Sequence, residues 1–93
     1  MTRYRTVTTA LERKLRELVG ERVAQARMRA NLSQRELGGS SGVHPAALSS
    51  LENGRRAPRV DELFRLAACL GCEALDLIPR SIEFERPPPR GGG

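Results

Sequence analysis

The sequence predicts an all-α fold, a compact bundle of five helices. Apolar residues recur three and four positions apart in successive stretches, the spacing that places them on one face of a helix. Helix-starting signals, such as Ser33 with Glu36 and His44 with Pro45, alternate with helix-stopping ones, Asn31, Gly42, Asn53-Gly54 and Gly71. Aromatic residues are 3% of the 93 positions and Trp is absent, so Leu, Val and Ala must fill the interior. A chain of this length holds one domain with one modest core and is only marginally stable.

The elements follow in order. Residues 1–8 are polar and are expected to form a loose arm. Thr9 followed by Glu12 matches a capping box. Leu11, Leu15, Leu18, Val19, Val23 and Ala26 then keep helical spacing, giving one helix, or two joined at Gly20, over residues 10–29. An interior glycine costs about 1 kcal/mol relative to alanine, which makes Gly20 the weak point. Ser33 caps a second helix over residues 34–40, with Glu36 as its capping partner and Leu37 turned inward. Gly38 permits close helix approach, Gly42 suits a left-handed turn, and Val43 enters the core. His44 and Pro45 open a third helix that ends at Asn53-Gly54, with Leu48 and Leu51 inward. Arg55, Arg56 and Arg59 populate the following loop, stiffened by Pro58. A fourth helix spans residues 60–70; Asp61 and Glu62 lie where its dipole favours anions, and Val60, Leu63, Leu66, Ala67 and Leu70 form its inner face. A fifth helix covers residues 74–78 and stops before Pro79. Ile82 and Phe84 alternate with Glu83 and Glu85 as a brief strand would, and the tail PPPRGGG is disordered by composition.

Charge is unevenly placed. The formal net charge is +5, and residues 1–60 carry twelve Lys and Arg against five Glu, a balance of +7. Residues 61–93 carry four Arg against six acids, a balance of −2. A basic front and a mildly acidic rear suggest a polyanion met by one face, although generic solubility charge gives the same totals. Fifteen of the sixteen basic residues are Arg, the side chain suited to forked contacts with phosphates and bases, although a GC-rich genome gives the same bias.

The run from Leu18 to Pro79 resembles the Cro/repressor family of helix-turn-helix proteins, also called the xenobiotic-response-element family. The matching marks are Leu32-Ser33-Gln34, Glu36-Leu37, Gly42-Val43, Leu48, Leu51-Glu52-Asn53-Gly54, Pro58 and the spacing of Leu66, Ala67, Leu70 and Gly71. The resemblance implies a lambda repressor-like bundle. Residues 1–17 would be a basic arm and N-terminal helical extension, 18–79 the DNA-binding domain, and 80–93 a short extended segment and tail. It further implies a transcriptional regulator, most readily a repressor, that binds double-stranded DNA sequence-specifically as a homodimer.

By the same resemblance the segment from Pro45 to Glu52 is the recognition helix, with His44, Pro45, Ala46, Ser49 and Ser50 facing the bases. Ser33, Gln34, Arg35, Asn53, Arg55 and Arg56 would hold phosphates, as helix N-termini and Arg forks do. Arg27 would pair with Glu52 to fix the recognition helix. The base-facing set is nearly bare: it offers no Arg for guanine and no Asn or Gln for adenine. Ala46 suits a thymine methyl, Ser49 and Ser50 either bases or phosphates, and His44 guanine, phosphate or merely its own helix cap. Direct readout per half-site is therefore weak, and DNA shape, dimer spacing or the arm must add specificity. Arg3 and Arg5 flank Tyr4 in that arm, where they would either enter a minor groove or form a charged, loose start.

Other readings remain open at this point. Small members of the family also act as antitoxins that bind a protein partner and regulate their own operon. Dimerisation is expected through the Leu11–Leu18 stripe or through strand addition at Ile82–Phe84. Cys69 and Cys72 form a C-x-x-C at a helix end, which suits core filling better than redox chemistry, and supplies only two of the four ligands of a structural zinc site. His44 is the sole histidine, so no metal site and no cofactor is expected. No nucleophile–base set, carboxylate pair or phosphate loop points to an enzyme. No apolar stretch suits a membrane span or a signal peptide, so a cytoplasmic location is expected.

Overall fold

The computed structural model describes residues 2–82, with side chains from residue 9 onward. Four α-helices and one 3-10 turn follow in order: α1 (Thr2–Arg29), α2 (Gln34–Ser41), α3 (Pro45–Glu52), α4 (Val60–Leu70) and the turn Ala74–Leu77. No strand occurs among the described residues. The expected fifth helix is thus a single 3-10 turn. Ile78 ends it with extended backbone, φ −114° and ψ 130°, as a residue before proline must. The expected strand beyond Ile82 and the Pro/Gly tail lie outside the described residues.

The largest difference from expectation is at the start. Helix α1 begins at Thr2, so residues 2–8 are helical rather than an arm, and Thr9 lies inside the helix instead of capping it. The stretch contains neither Gly nor Pro, although the β-branched Thr2, Thr6, Val7 and Thr8 and the early Arg3 and Arg5 are weak starting residues for a helix. The side chains of Arg3, Tyr4 and Arg5 lie outside the description. At 28 residues, α1 is about 42 Å long at 1.5 Å per residue. Its C-terminus closes at Asn31, which takes φ 58°, while the Leu32 N–H donates back to the Arg27 carbonyl at 3.2 Å.

Gly20 does not interrupt α1. It is buried where the end of α3 crosses, and a Cβ at this position would overlap the carbonyl oxygen of Leu51. The glycine's cost in helix propensity is thereby offset by a backbone-to-backbone approach that no larger residue permits.

The short elements form where local chemistry dictates. Ser33 Oγ accepts from the Glu36 N–H at 2.9 Å and the Ser33 N–H donates to Glu36 at 2.8 Å, a complete capping box. Gly42 ends α2 at φ 77° with its N–H donating to the Gly38 carbonyl at 2.9 Å. The chain then reverses directly into α3. The core gathers Val19 and Val23 of α1, Leu37 of α2, Val43, Leu48 and Leu51 around α3, Leu63, Leu66 and Ala67 of α4, and Ala74 and Leu77. Leu15 packs at its edge. Val60 is not part of it. The inward stripe of α4 is carried by positions 63, 66 and 67, and this leaves Val60 71% exposed on the flank beside Phe64.

Candidate nucleic-acid interface

Leu48 and Leu51 are fully buried, so α3 is held from behind and turns its other side to solvent. Its first turn is pre-shaped by its own cap. His44 Nδ1 accepts from the Ala46 N–H at 3.1 Å, and Pro45 takes the first helical position, where a missing N–H costs nothing. With Nδ1 used as an acceptor, the neutral ring carries its proton on Nε2, at the exposed end of the side chain. Ala46 is exposed beside it, and Ser49 and Ser50 are half-exposed one turn further on. Pro45 is half-buried against Gly38, where an added Cβ would come within 3.1 Å of the Pro45 ring.

A buried polar knot sets the angle of this helix. Arg27 Nε and Nη2 donate to the two carboxylate oxygens of Glu52 at 2.7 and 3.0 Å. Arg27 Nη1 donates to the Leu32 carbonyl at 2.7 Å, and Gln34 Nε2 donates to Glu52 Oε1 at 3.0 Å. The two ionic side chains are 15% and 6% exposed. One carboxylate at the end of α3 is therefore tied to α1 and to the first turn of α2. The hydrogen bond it donates to Glu52 holds the Arg27 guanidinium even more firmly protonated than usual. Gln34 has one amide hydrogen left for an outside acceptor, since an amide NH2 carries two.

The remaining basic and polar residues divide in two. Arg35, on the first turn of α2, and Arg55, just after α3, are exposed, and neither has an ion-pair partner among the described residues. In the chain they stand before and after α3. Arg56 is differently placed. Its Nη2 donates to both oxygens of Glu62 at 2.9 and 2.6 Å, and its Nη1 is buried with no acceptor. Glu62 in turn accepts from the Arg59 N–H at 2.9 Å, capping α4. The hydrogen bond from Arg56 holds the Glu62 carboxyl below the ordinary carboxylate range. Arg56 thus fastens the α3–α4 loop to α4. Ser33 Oγ serves its capping box as an acceptor, which leaves its hydroxyl hydrogen for an outside acceptor. Asn53 Nδ2 donates to the Ser49 carbonyl at 2.9 Å, and its backbone, φ −88°, is not left-handed; Gly54 takes that conformation instead, at φ 74°.

Sequence reasoning missed two contributors to this surface. Arg16 Nε donates to the Gly54 carbonyl at 3.3 Å, so α1 steadies the basic loop from outside; its only signal was its place one turn before Gly20. Glu62, read as a residue that suits the helix dipole, is the anchor of Arg56. Away from this surface, Cys69 and Cys72 are free, half-buried thiols packed against the core. Burial, then Asp76 and Glu73, push the Cys72 thiol up. Among the described residues no group of three His, Cys, Asp or Glu side chains is placed to hold a metal ion, and no helix is long and apolar enough to cross a membrane.

Known proteins share this fold. The family model described as "Helix-turn-helix" matches residues 23–77. An uncharacterized HTH-type transcriptional regulator, y4dJ of Sinorhizobium fredii, is 42% identical over 69 residues, which are 74% of this chain and 90% of that protein. Among solved structures, the clp gene regulator ClgR from Corynebacterium glutamicum superposes with a TM-score of 0.65 at 32% identity, over 67% of this chain and 66% of its own. The restriction-modification controller protein C.AhdI from Aeromonas hydrophila gives 0.66 at 27% identity, over 68% of this chain and 96% of its own. The P22 c2 repressor, in complex with a synthetic operator, gives 0.63 at 31% identity, over 67% and 94%.

Proposed function

This chain belongs to the helix-turn-helix family, in its lambda repressor-like, all-helical form, and on that premise we propose that it binds double-stranded DNA as a homodimer and represses transcription. The carrying observation is the presentation of α3: its inner leucines are fully buried and its first turn is capped and exposed, with exposed Arg35 in the preceding helix and exposed Arg55 in the loop that follows. That is the arrangement in which a helix enters a major groove while flanking cations hold the two backbones. His44, Pro45, Ala46, Ser49 and Ser50 face the bases. Gln34 and Arg35 hold one strand; Asn53 and Arg55 hold the other. Arg56, paired with Glu62, contributes position rather than a phosphate contact. The P22 c2 repressor was solved with an operator, which supports an operator as the ligand here.

The small base-facing set makes each half-site weakly discriminating, so two half-sites about 34 Å apart are needed for a usable operator. Selection from a random duplex pool, followed by a protection footprint, tests this. The expected outcome is a two-fold symmetric sequence with half-sites one helical turn apart, and lowered transcription from a promoter that contains it. Retention of all sequences alike would contradict sequence-specific binding.

A further inference from the structure

Capping a helix and contacting DNA compete for His44 when the sequence is read alone, but an imidazole has two nitrogens. The cap takes only one of them: Nδ1 accepts from the Ala46 N–H at 3.1 Å. A neutral ring whose Nδ1 accepts carries its hydrogen on Nε2, so its outer edge is a donor and not an acceptor. His44 is exposed, and turning its ring over would break the bond to Ala46. The donor is therefore fixed both in kind and in direction. The other candidate base-facing residues have no such fixed polarity. Pro45 and Ala46 carry no polar side-chain atom, and the hydroxyls of Ser49 and Ser50 both donate and accept, so they separate bases poorly.

We propose that His44 reads a guanine, its Nε2–H donating to N7 in the major groove, and that this contact sets the strongest base preference in each half-site. The inference rests on the DNA reading above and names the base. Guanine presents two acceptors side by side in the major groove, N7 and O6. Adenine sets an amino donor beside its N7, thymine offers O4 next to a methyl group, and cytosine presents an amino donor. A fixed donor is matched by guanine, half-matched by adenine and thymine, and opposed by cytosine. A phosphate oxygen would also accept this hydrogen. His44, however, opens the first turn of α3 beside the exposed Ala46 methyl, and the N-terminal residues of such a helix are the ones that meet base edges.

His44→Ser separates the two roles. Serine is among the strongest helix caps, and its short side chain removes the outward donor. The wild-type and His44→Ser full chains are each used to select from a random duplex pool. Their helical content and melting midpoints are expected to agree. The wild type should enrich guanine at one position of each half-site, and His44→Ser should enrich the same sequence with that position indifferent. Affinity for the guanine duplex should fall about fivefold per half-site, the worth of one neutral hydrogen bond. The salt dependence should not change, because an uncharged donor neutralises no phosphate. A second measurement needs no variant: 7-deazaguanine at that position removes N7 and should weaken the wild type by a similar factor. A guanine preference that survives His44→Ser, a loss that falls equally on all sequences as for a phosphate contact, or a wild type indifferent to 7-deazaguanine would overturn the proposal and leave the DNA reading standing. If neither protein retains any duplex, the DNA reading fails and this inference fails with it.

Discussion

Arg27 and Glu52 meet through two parallel hydrogen bonds of 2.7 and 3.0 Å, joining the last turn of α1 to the last residue of α3. Both side chains are largely withdrawn from water. Removing one partner leaves the other charge buried alone, which costs about 3–5 kcal/mol for a fully buried pair and less here because Arg27 keeps some solvent. Glu52→Ala is expected to lower the urea midpoint by an amount equivalent to about 2–4 kcal/mol. Arg27→Lys should recover only part of the wild-type stability, because an ammonium cannot bridge both oxygens in one plane. A Glu52→Ala protein with an unchanged midpoint would remove the pair from the account.

Gly20 makes a prediction of opposite sign to helix propensity. Alanine in a helix interior is favoured over glycine by about 1 kcal/mol. At Gly20, however, the added methyl overlaps the Leu51 carbonyl oxygen, and relief requires α1 to move away from α3. Gly20→Ala is therefore expected to destabilise the fold by about 1–3 kcal/mol net, as overpacking does. Thermal denaturation decides the sign; a raised melting temperature would mean that the helices are not in contact there.

Glu62 sets part of the acid stability. Its carboxyl is held below the ordinary value of 4.5 chiefly by the hydrogen bond from Arg56. A carboxyl with a lowered folded-state value stabilises the fold at every pH above its unfolded value. That contribution shrinks as pH falls from about 4.5 through the lower folded value, and is absent below it. Glu62→Gln should accordingly lower the melting temperature at neutral pH and converge with the wild type in acid. A constant difference across this range would show that the pair does not titrate as described. Arg56→Ala should destabilise the fold at neutral pH as well, because it strands a buried carboxylate. Its effect on DNA binding must be read against that loss.

How much of this was legible in the sequence follows the range of each interaction. Ser33 with Glu36, Gly42, and His44 with Pro45 act within four residues, and they marked the helix boundaries where the structure has them. Arg27 and Glu52 stand 25 residues apart, and only the family resemblance suggested their meeting. Gly20 was read as a weakness because a single helix does not reveal what crosses it. Val60 matched the apolar spacing of α4, yet spacing alone does not say where a covered stripe ends. Arg55 and Arg56 are adjacent and chemically identical, and nothing local separates them. The difference arises from Glu62, whose position in the first turn of α4 brings it under Arg56 alone.

The central claim is that α3 faces DNA with Arg35 and Arg55 on the flanking phosphates, and salt dependence of duplex binding tests it most directly. Each phosphate neutralised by a cation contributes about −0.9 to the slope of log Kobs against log salt concentration. The wild type should show a steep linear fall. Arg35→Ala and Arg55→Ala should each reduce the slope by about 0.9 per protomer and weaken all sequences alike. Equal slopes for the wild type and both variants, or no duplex binding at any salt concentration, would contradict the account.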